Sequence, residues 1–272
     1  MSVVVVNITK KMVVDVVDHT SYIAKSRASL EALKSANLLK SLNLSALILG
    51  ESGTGKQTLA KFILPEANIV DADGDIQELL AFIDISDTLI IKNFDKINNY
   101  PKVKSAIELN NTRVIATSKV ELSEKVSDDF FSLKITLSPL SQREEDILPL
   151  AQKFFEEVSG FFGNENSNDI SLKDLNFDLS NNCYSLRKSV YLKYLVNSLS
   201  EEGVMDVMEE FLLKKLGGRN DYREQLYLFD VPMLRSGFKK FHSQLNMSEK
   251  FGLNRNTLRK KINDYKDKYK LN

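Results

Sequence analysis

Residues 46–60 read ALILGESGTGKQTLA: an apolar run, then Gly50, Gly53 and Gly55 within six positions, then Lys56 and a helical pattern. Glycines this close let the backbone turn its amides inward, and a helix starting after Gly55 adds its positive end, so the segment is suited to cradling phosphates. Lys56 would reach the outer phosphates of a nucleotide, with Glu51, Ser52, Thr54, Gln57 and Thr58 completing the loop. Gln57 stands where such loops place a Ser or Thr on Mg²⁺.

A second constellation lies near the C-terminus, where residues 244–268 read QLNMSEKFGLNRNTLRKKINDYKDK. The pattern predicts a short helix ending at Phe251, a turn at Gly252 and a second helix capped by Asn254. Leu258, Ile262, Tyr265 and Tyr269 form one stripe, which leaves Arg255, Asn256, Arg259, Lys260 and Lys261 off it. This is a helix-turn-helix arrangement, whose second helix would enter the major groove of double-stranded DNA. Arginine can read guanine and asparagine adenine, while lysine mostly meets phosphate. Charge agrees. The chain carries 37 basic and 37 acidic residues, yet residues 235–272 hold eleven basic against three acidic, a net +8 that leaves −8 on residues 1–234.

The composition excludes other chemistries. One cysteine (Cys183) and two histidines (His19, His242) cannot build a disulfide framework or a zinc site, so no metal site and no catalytic residue are assigned. Cys183 reads as buried packing, His242 as a flank of the helix-turn-helix, and His19 as having no partner for base chemistry. Phe154, Phe155, Phe161 and Phe162 read as helical core. The opening apolar run, Val3 to Ile8, is far short of the roughly 20 residues of a membrane span, so a soluble, cytoplasmic protein without membrane contact is expected.

Short apolar runs at Ala46–Leu49, Ala67–Val70, Leu89–Ile91, Val114–Ala116 and Leu133–Leu137 alternate with helical stretches near 56–63, 75–83, 101–109 and 121–131. Such alternation predicts a parallel sheet with helices on both faces. From Gln142 onward only helical spacing remains, broken by a Gly/Asn-rich stretch from Gly163 to Asp169 and by Gly217-Gly218.

GESGTGK followed by a helix resembles the Walker A loop of bacterial enhancer-binding proteins, the NtrC-type AAA+ activators that work with sigma-54 RNA polymerase. Tyr22–Leu49 resembles that family's lead-in, TRVIATS (Thr112–Ser118) its sensor 1 strand, LSPLSQREEDILPL (Leu137–Leu150) the approach to its helical lid, SLRKSV (Ser185–Val190) its sensor 2 helix, and LNRNTLRKKI (Leu253–Ile262) its Fis-type DNA-binding end. The resemblance implies an α/β AAA+ P-loop core over residues 1–138, an all-α lid over 139–216 and an all-α helix-turn-helix domain over 217–272. It places Arg187 at sensor 2, gives Asn254, Arg255 and Arg259 to bases, and gives Thr257, Lys260 and Lys261 to phosphates. It also assigns two-fold dimerisation to the region that here holds Leu226, Leu228, Phe229, Val231, Leu234, Phe238 and Phe241.

The chain departs from the family at several points. The Asp-Glu pair that ends the family's Walker B strand falls on Lys92 and Asn93, neither of which can hold Mg²⁺ and orient water as that pair does. No arginine lies between Arg113 and Arg143, where the family carries its arginine fingers, and its sensor 1 asparagine falls on Lys119. Only 38 positions separate Gly50 from Thr88, which leaves no room for the GAFTGA loop, so sigma-54 contact by that route is not expected. About 20 residues precede the resemblance, so no phosphorylation input is expected in cis.

These features lead to the expectation of a DNA-binding, homodimeric transcriptional regulator whose core binds ATP or ADP, Mg-independently or with weak Mg dependence, without hydrolysing it. Lys92 has two readings, an ammonium that partly replaces the metal's charge or a solvent-screened lysine. The loop could also persist as scaffold without ligand. An alternative is an ATPase motor acting on DNA or a protein partner through non-standard acids such as Asp95.

Overall fold

A computed structural model describes residues 22–162 and 176–271. Val3 to Ile8, His19 and the break from Gly163 to Asp169 lie outside the described residues. The chain divides into two compact units, one up to Ser198 and one from Leu199.

In the first unit, α1 (Arg27–Ser41) precedes five strands separated by helices: β1 (Ala46–Gly50), α2 (Lys56–Ile63), β2 (Asn68–Asp71), α3 (Ile76–Ile85), β3 (Thr88–Lys92), α4 (Tyr100–Asn110), β4 (Arg113–Ser118), α5 (Glu124–Phe130) and β5 (Leu133–Leu137). All strand pairs are parallel, in the order β2-β3-β4-β1-β5. Side chains alternate between the faces of a strand, so the sheet builds two cores. Ile48, Ile90, Ile115 and Ile135 pack with Ala36, Leu39, Leu59 and Ile63 of α1 and α2. Leu47, Leu89, Ile91, Val114 and Ala116 pack with Leu79 and Ile83 of α3, Val103 of α4 and the Phe94 ring. Coverage on both faces is why the central strands are continuous apolar runs. Ser26, Asp75, Asn99 and Ser123 accept backbone amides at the starts of α1, α3, α4 and α5.

The chain then turns fully helical, with a 3₁₀ turn at Leu140–Gln142, α6 (Glu144–Phe162) and α7 (Asn182–Ser198). Leu140, Ala151, Phe154, Leu186 and Val190 form their shared core. Phe161 and Phe162 depart from the expected core role: they sit in the last turn of α6 and are 53% and 48% exposed.

The second unit contains α8 (Glu201–Leu213), α9 (Asp221–Gln225), α10 (Tyr227–Phe241), α11 (Gln244–Phe251) and α12 (Arg255–Tyr269). Val231, Leu234, Met247, Leu258, Ile262 and Leu271 form its core. Gly217-Gly218 makes a turn inside this unit, both amides donating to the Asp221 carboxylate. Gly237 lets α11 approach α10, since a Cβ there would lie 2.6 Å from the Phe251 ring. Among the described residues no helix is long and apolar enough to cross a membrane.

Candidate functional site

Strand β1 ends between β4 and β5, and the phosphate-loop sequence follows. Gly53 and Gly55 take φ +77° and +97°, which a side chain would strain, and Gly55 caps α2. Lys56 Nζ donates to the carbonyls of Gly50 and Glu51 at 2.5 and 2.6 Å, and Thr54 Oγ1 donates to Glu51 O at 2.9 Å.

The loop is also held from far along the chain. Asn182, in the left-handed region at φ 51°, donates through Nδ2 to Ser52 O at 2.9 Å and to Glu51 Oε2 at 3.2 Å. Its Oδ1 accepts the Leu140 amide at 2.6 Å. The Cys183 amide donates to Gly53 O at 3.0 Å. Arg143, with its side chain only 3% exposed, donates to Thr54 O at 3.0 Å and to the Tyr22 hydroxyl at 3.4 Å, and lies 3.7 Å from Asp146. Asp146 in turn accepts the amides of Lys25 and Ser26, so it fixes the chain leading into α1.

These contacts enclose a cavity of about 370 Å³. Residues 52–58 line it with Lys92, Lys119, Arg143, Lys153 and Arg187, while Tyr22, Ile23, Leu150, Phe154 and Tyr184 add aromatic and apolar surface. Among the described residues the lining includes six cationic side chains and no Asp or Glu. Burial and the neighbouring charge of Lys119 push the Lys56 ammonium down to about 8, against the opposing pull of Asp95 and Glu51. Burial, reinforced by Asp146, pushes Tyr22 up to about 12 despite Arg143. The Cys183 thiol is raised by burial, consistent with packing rather than reactivity.

Of the loop residues expected to meet nucleotide, Ser52, Gly53, Thr54, Gly55, Lys56, Gln57 and Thr58 line the cavity, whereas Gly50 and Glu51 stand behind it as the carbonyls that hold Lys56. Lys92 also lines it, but its ammonium lies 3.1 Å from Asp71 Oδ2 on the neighbouring strand. Asn93 Nδ2 donates to Asp71 Oδ1 at 2.7 Å. Burial tends to raise the Asp71 carboxyl, but bonds from Asn93, the Asp73 amide and Lys92 together hold it below its ordinary value. Lys92 therefore reaches the cavity already paired with Asp71. Arg187 lines the cavity with its guanidinium 3.3 Å from Glu157 and stacked over the Phe154 ring at 4.4 Å. Asp95 Oδ1 accepts from Ser118 Oγ at 3.0 Å and from the Lys119 amide at 3.3 Å. The sequence reading covered Tyr22, Ile23 and Arg143 only as parts of family-like segments and gave neither them nor Asn182 a place in the site.

The basic helix of the second unit forms as its sequence directs. Gly252 ends α11 at φ 62°, and Asn254 Oδ1 accepts the Asn256 amide at 2.9 Å to start α12. Leu258 and Ile262 are buried, and Tyr265 and Tyr269 pack against the same core. Arg255, Asn256, Thr257, Arg259 and Lys260 are exposed. No ion pair engages Arg255, Arg259 or Lys260 among the described residues. Lys261 departs from the expected phosphate role. It is half-buried, with Nζ 2.6 Å from Asp230 Oδ2, the oxygen that also accepts the Tyr265 hydroxyl at 3.3 Å. His242 closes α10 in the left-handed region at φ 57°.

The family model for the Sigma-54 interaction domain matches residues 22–77, from the Tyr22 lead-in through the phosphate loop to the start of α3. No curated protein matches the chain by sequence. Among solved structures, NtrX from Brucella abortus in complex with ATP is 15% identical, with a TM-score of 0.51 over 94% of this chain and 72% of that one. The same protein in complex with ADP gives 15% identity and a TM-score of 0.53 over 90% and 70%. At this identity the likeness is one of fold: an α/β P-loop core followed by an all-α part.

Proposed function

We propose that this chain is a sequence-specific, DNA-binding transcriptional regulator whose P-loop core binds ATP or ADP, without need of magnesium, and does not turn it over. The reading is carried by the second unit, where a capped helix after a glycine turn presents Arg255, Asn256, Thr257, Arg259 and Lys260 free of ion pairs among the described residues while its other face builds the core. Arg255, Arg259, Asn254 and Asn256 would face base edges, and Thr257 and Lys260 phosphates. Lys261, held by Asp230, is left out of the contact set.

For the core, the P-loop backbone, the concentration of cations and the adjoining Tyr22, Ile23 and Phe154 suit a nucleoside polyphosphate. The nucleotide-bound NtrX structures of similar fold support the same ligand class. Residues 52–58 would hold the phosphates, and the aromatic and apolar surface would take the base. Hydrolysis requires a group that orients water and neutralisation of developing charge by metal. Lys92 and Asn93 are engaged with Asp71, and Asp95 Oδ1 accepts from Ser118 and the Lys119 amide, so this set offers no acid among the residues that line the cavity. Of the residues expected at a two-fold contact, Val231, Leu234, Phe238 and Phe241 pack in the unit's own core and Phe229 is exposed, so homodimerisation through the C-terminal unit would use Phe229 together with exposed apolar residues of α8 such as Val204, Met205, Val207 and Phe211.

The test pairs selection of bound DNA from a random library with a phosphate-release assay in the presence of that DNA. A defined motif lost in the Arg255→Ala, Arg259→Ala variant, together with no release above background, is expected. Release that disappears in Lys56→Ala would instead establish the motor reading.

A further inference from the structure

We propose that the phosphate-loop cavity selects a nucleoside triphosphate free of magnesium over its magnesium complex, and that Lys119 makes the selection. This rests on the reading of the cavity as a nucleotide site.

Three lysines serve the cavity from adjacent strand ends: Lys56 beyond β1, Lys92 at the end of β3 and Lys119 just beyond β4. Strand β4 lies between the other two, and its register pairs Ser118 with Leu49, which brings Lys119 level with Gly50 where the loop begins. The three ammonium groups are not equivalent. Lys56 is bonded to loop carbonyls and Lys92 to Asp71. The Lys119 side chain is exposed and has no hydrogen bond or ion pair among the described residues; only its backbone amide is engaged, by Asp95. Its charge is felt at Lys56, whose proton it helps to loosen.

Magnesium is bound through oxygen, chiefly carboxylates and phosphates with retained waters. Here no Asp or Glu lines the cavity among the described residues, and Gln57 follows Lys56 in place of a hydroxyl. A magnesium complex would therefore bring a dication among three lysines with no lining carboxylate to receive it, Asp71 being already engaged by Lys92 and Asn93. The free triphosphate brings its full negative charge to the same lysines, and the Lys119 ammonium, without a prior protein partner among the described residues, exchanges only water to meet it.

The experiment is calorimetric titration of the full chain with ATP, once in EDTA and once in excess magnesium, for the native protein, Lys119→Met, Lys119→Glu and Lys56→Ala. Loss of one charge-assisted contact corresponds to about tenfold in affinity. Native protein is expected to bind at least about tenfold more tightly in EDTA. Lys119→Met should lose that advantage while changing affinity in magnesium by less than about twofold, and Lys119→Glu should reverse the preference. Lys56→Ala should bind in neither condition. Tighter native binding in magnesium, or equal weakening of both affinities by Lys119→Met, overturns the proposal while leaving the nucleotide site standing. Absence of native binding in both conditions overturns the site reading and this inference with it.

Discussion

In the first unit six cations from separate stretches of chain, Lys56 to Arg187, converge on one cavity, while in the second Arg255, Arg259 and Lys260 stand on the exposed side of one helix. Most of the convergent set is tethered, Lys56 to loop carbonyls, Arg143 to Asp146, Arg187 to Glu157 and Lys92 to Asp71, while the Lys119 side chain has no partner among the described residues. The helical set has no counter-ions among the described residues and is held only by the stripe beneath it. Gathering charge in a concave site costs solvation that nearby anions and carbonyls must offset, whereas water does this for charge on a convex face. The first arrangement favours a compact polyanion and the second an extended one.

This contrast can be broken most forcefully at Asp146. Asp146→Ala strands a nearly buried guanidinium and removes the acceptor for the Lys25 and Ser26 amides, so unfolding in urea should show a loss of about 3–5 kcal/mol. Next, the Arg255→Ala, Arg259→Ala pair should cost roughly 2 to 4 kcal/mol in binding to a selected site, with a smaller loss on random DNA. Equal losses in fluorescence anisotropy on both DNAs would remove the base-reading role. Gly53→Ala meets positive φ and a Cβ only 2.7 Å from Asn181 O, and should lower stability by about 1–2 kcal/mol along with nucleotide affinity. Asp230→Ala removes a buried carboxylate from the partly exposed Lys261 ammonium and from the Tyr265 hydroxyl, and should cost about 1–2 kcal/mol. A loss there matching that of Asp146→Ala would show that the greater exposure of Lys261 than of Arg143 does not separate the two pairs.

The last test concerns pH. The Lys56 proton leaves the folded protein at about 8 and the unfolded chain near 10.5. Below that interval both states are protonated. Within it the unfolded state holds more proton, so without nucleotide stability should rise with pH through this window. Nucleotide affinity should fall over the same range as the ammonium is lost, which titrations at several pH values would resolve.

The sheet was legible because its strands, covered on both faces, are short apolar runs bounded by turn residues, and α2 was readable from 56 to 63 because Gly55 caps it. The phosphate loop and the turn at Gly252 were equally plain, since each is a contiguous motif. The rest of the cavity depends on partners distant in sequence. The Cys183 amide that grips Gly53 leaves no mark in residue type, and Arg143 and Tyr22 meet across 121 positions. The sequence could place Lys92 near the loop but could not show that β2 lies beside β3 with Asp71 opposite it in register. The pairing of Lys261 was hidden for the same reason: Asp230 reaches it from another helix.

The Asp71 clasp also bears on how this chain could change over generations. An acid introduced at position 93 would face Asp71 where an amide now donates at 2.7 Å, and an acid at 92 would confront the same carboxylate and remove its cation. An adjacent acidic pair at 92 and 93 therefore requires a change at 71 as well, and each single step toward it passes through repulsion. The clasp acts as a ratchet, easy to keep and hard to reverse.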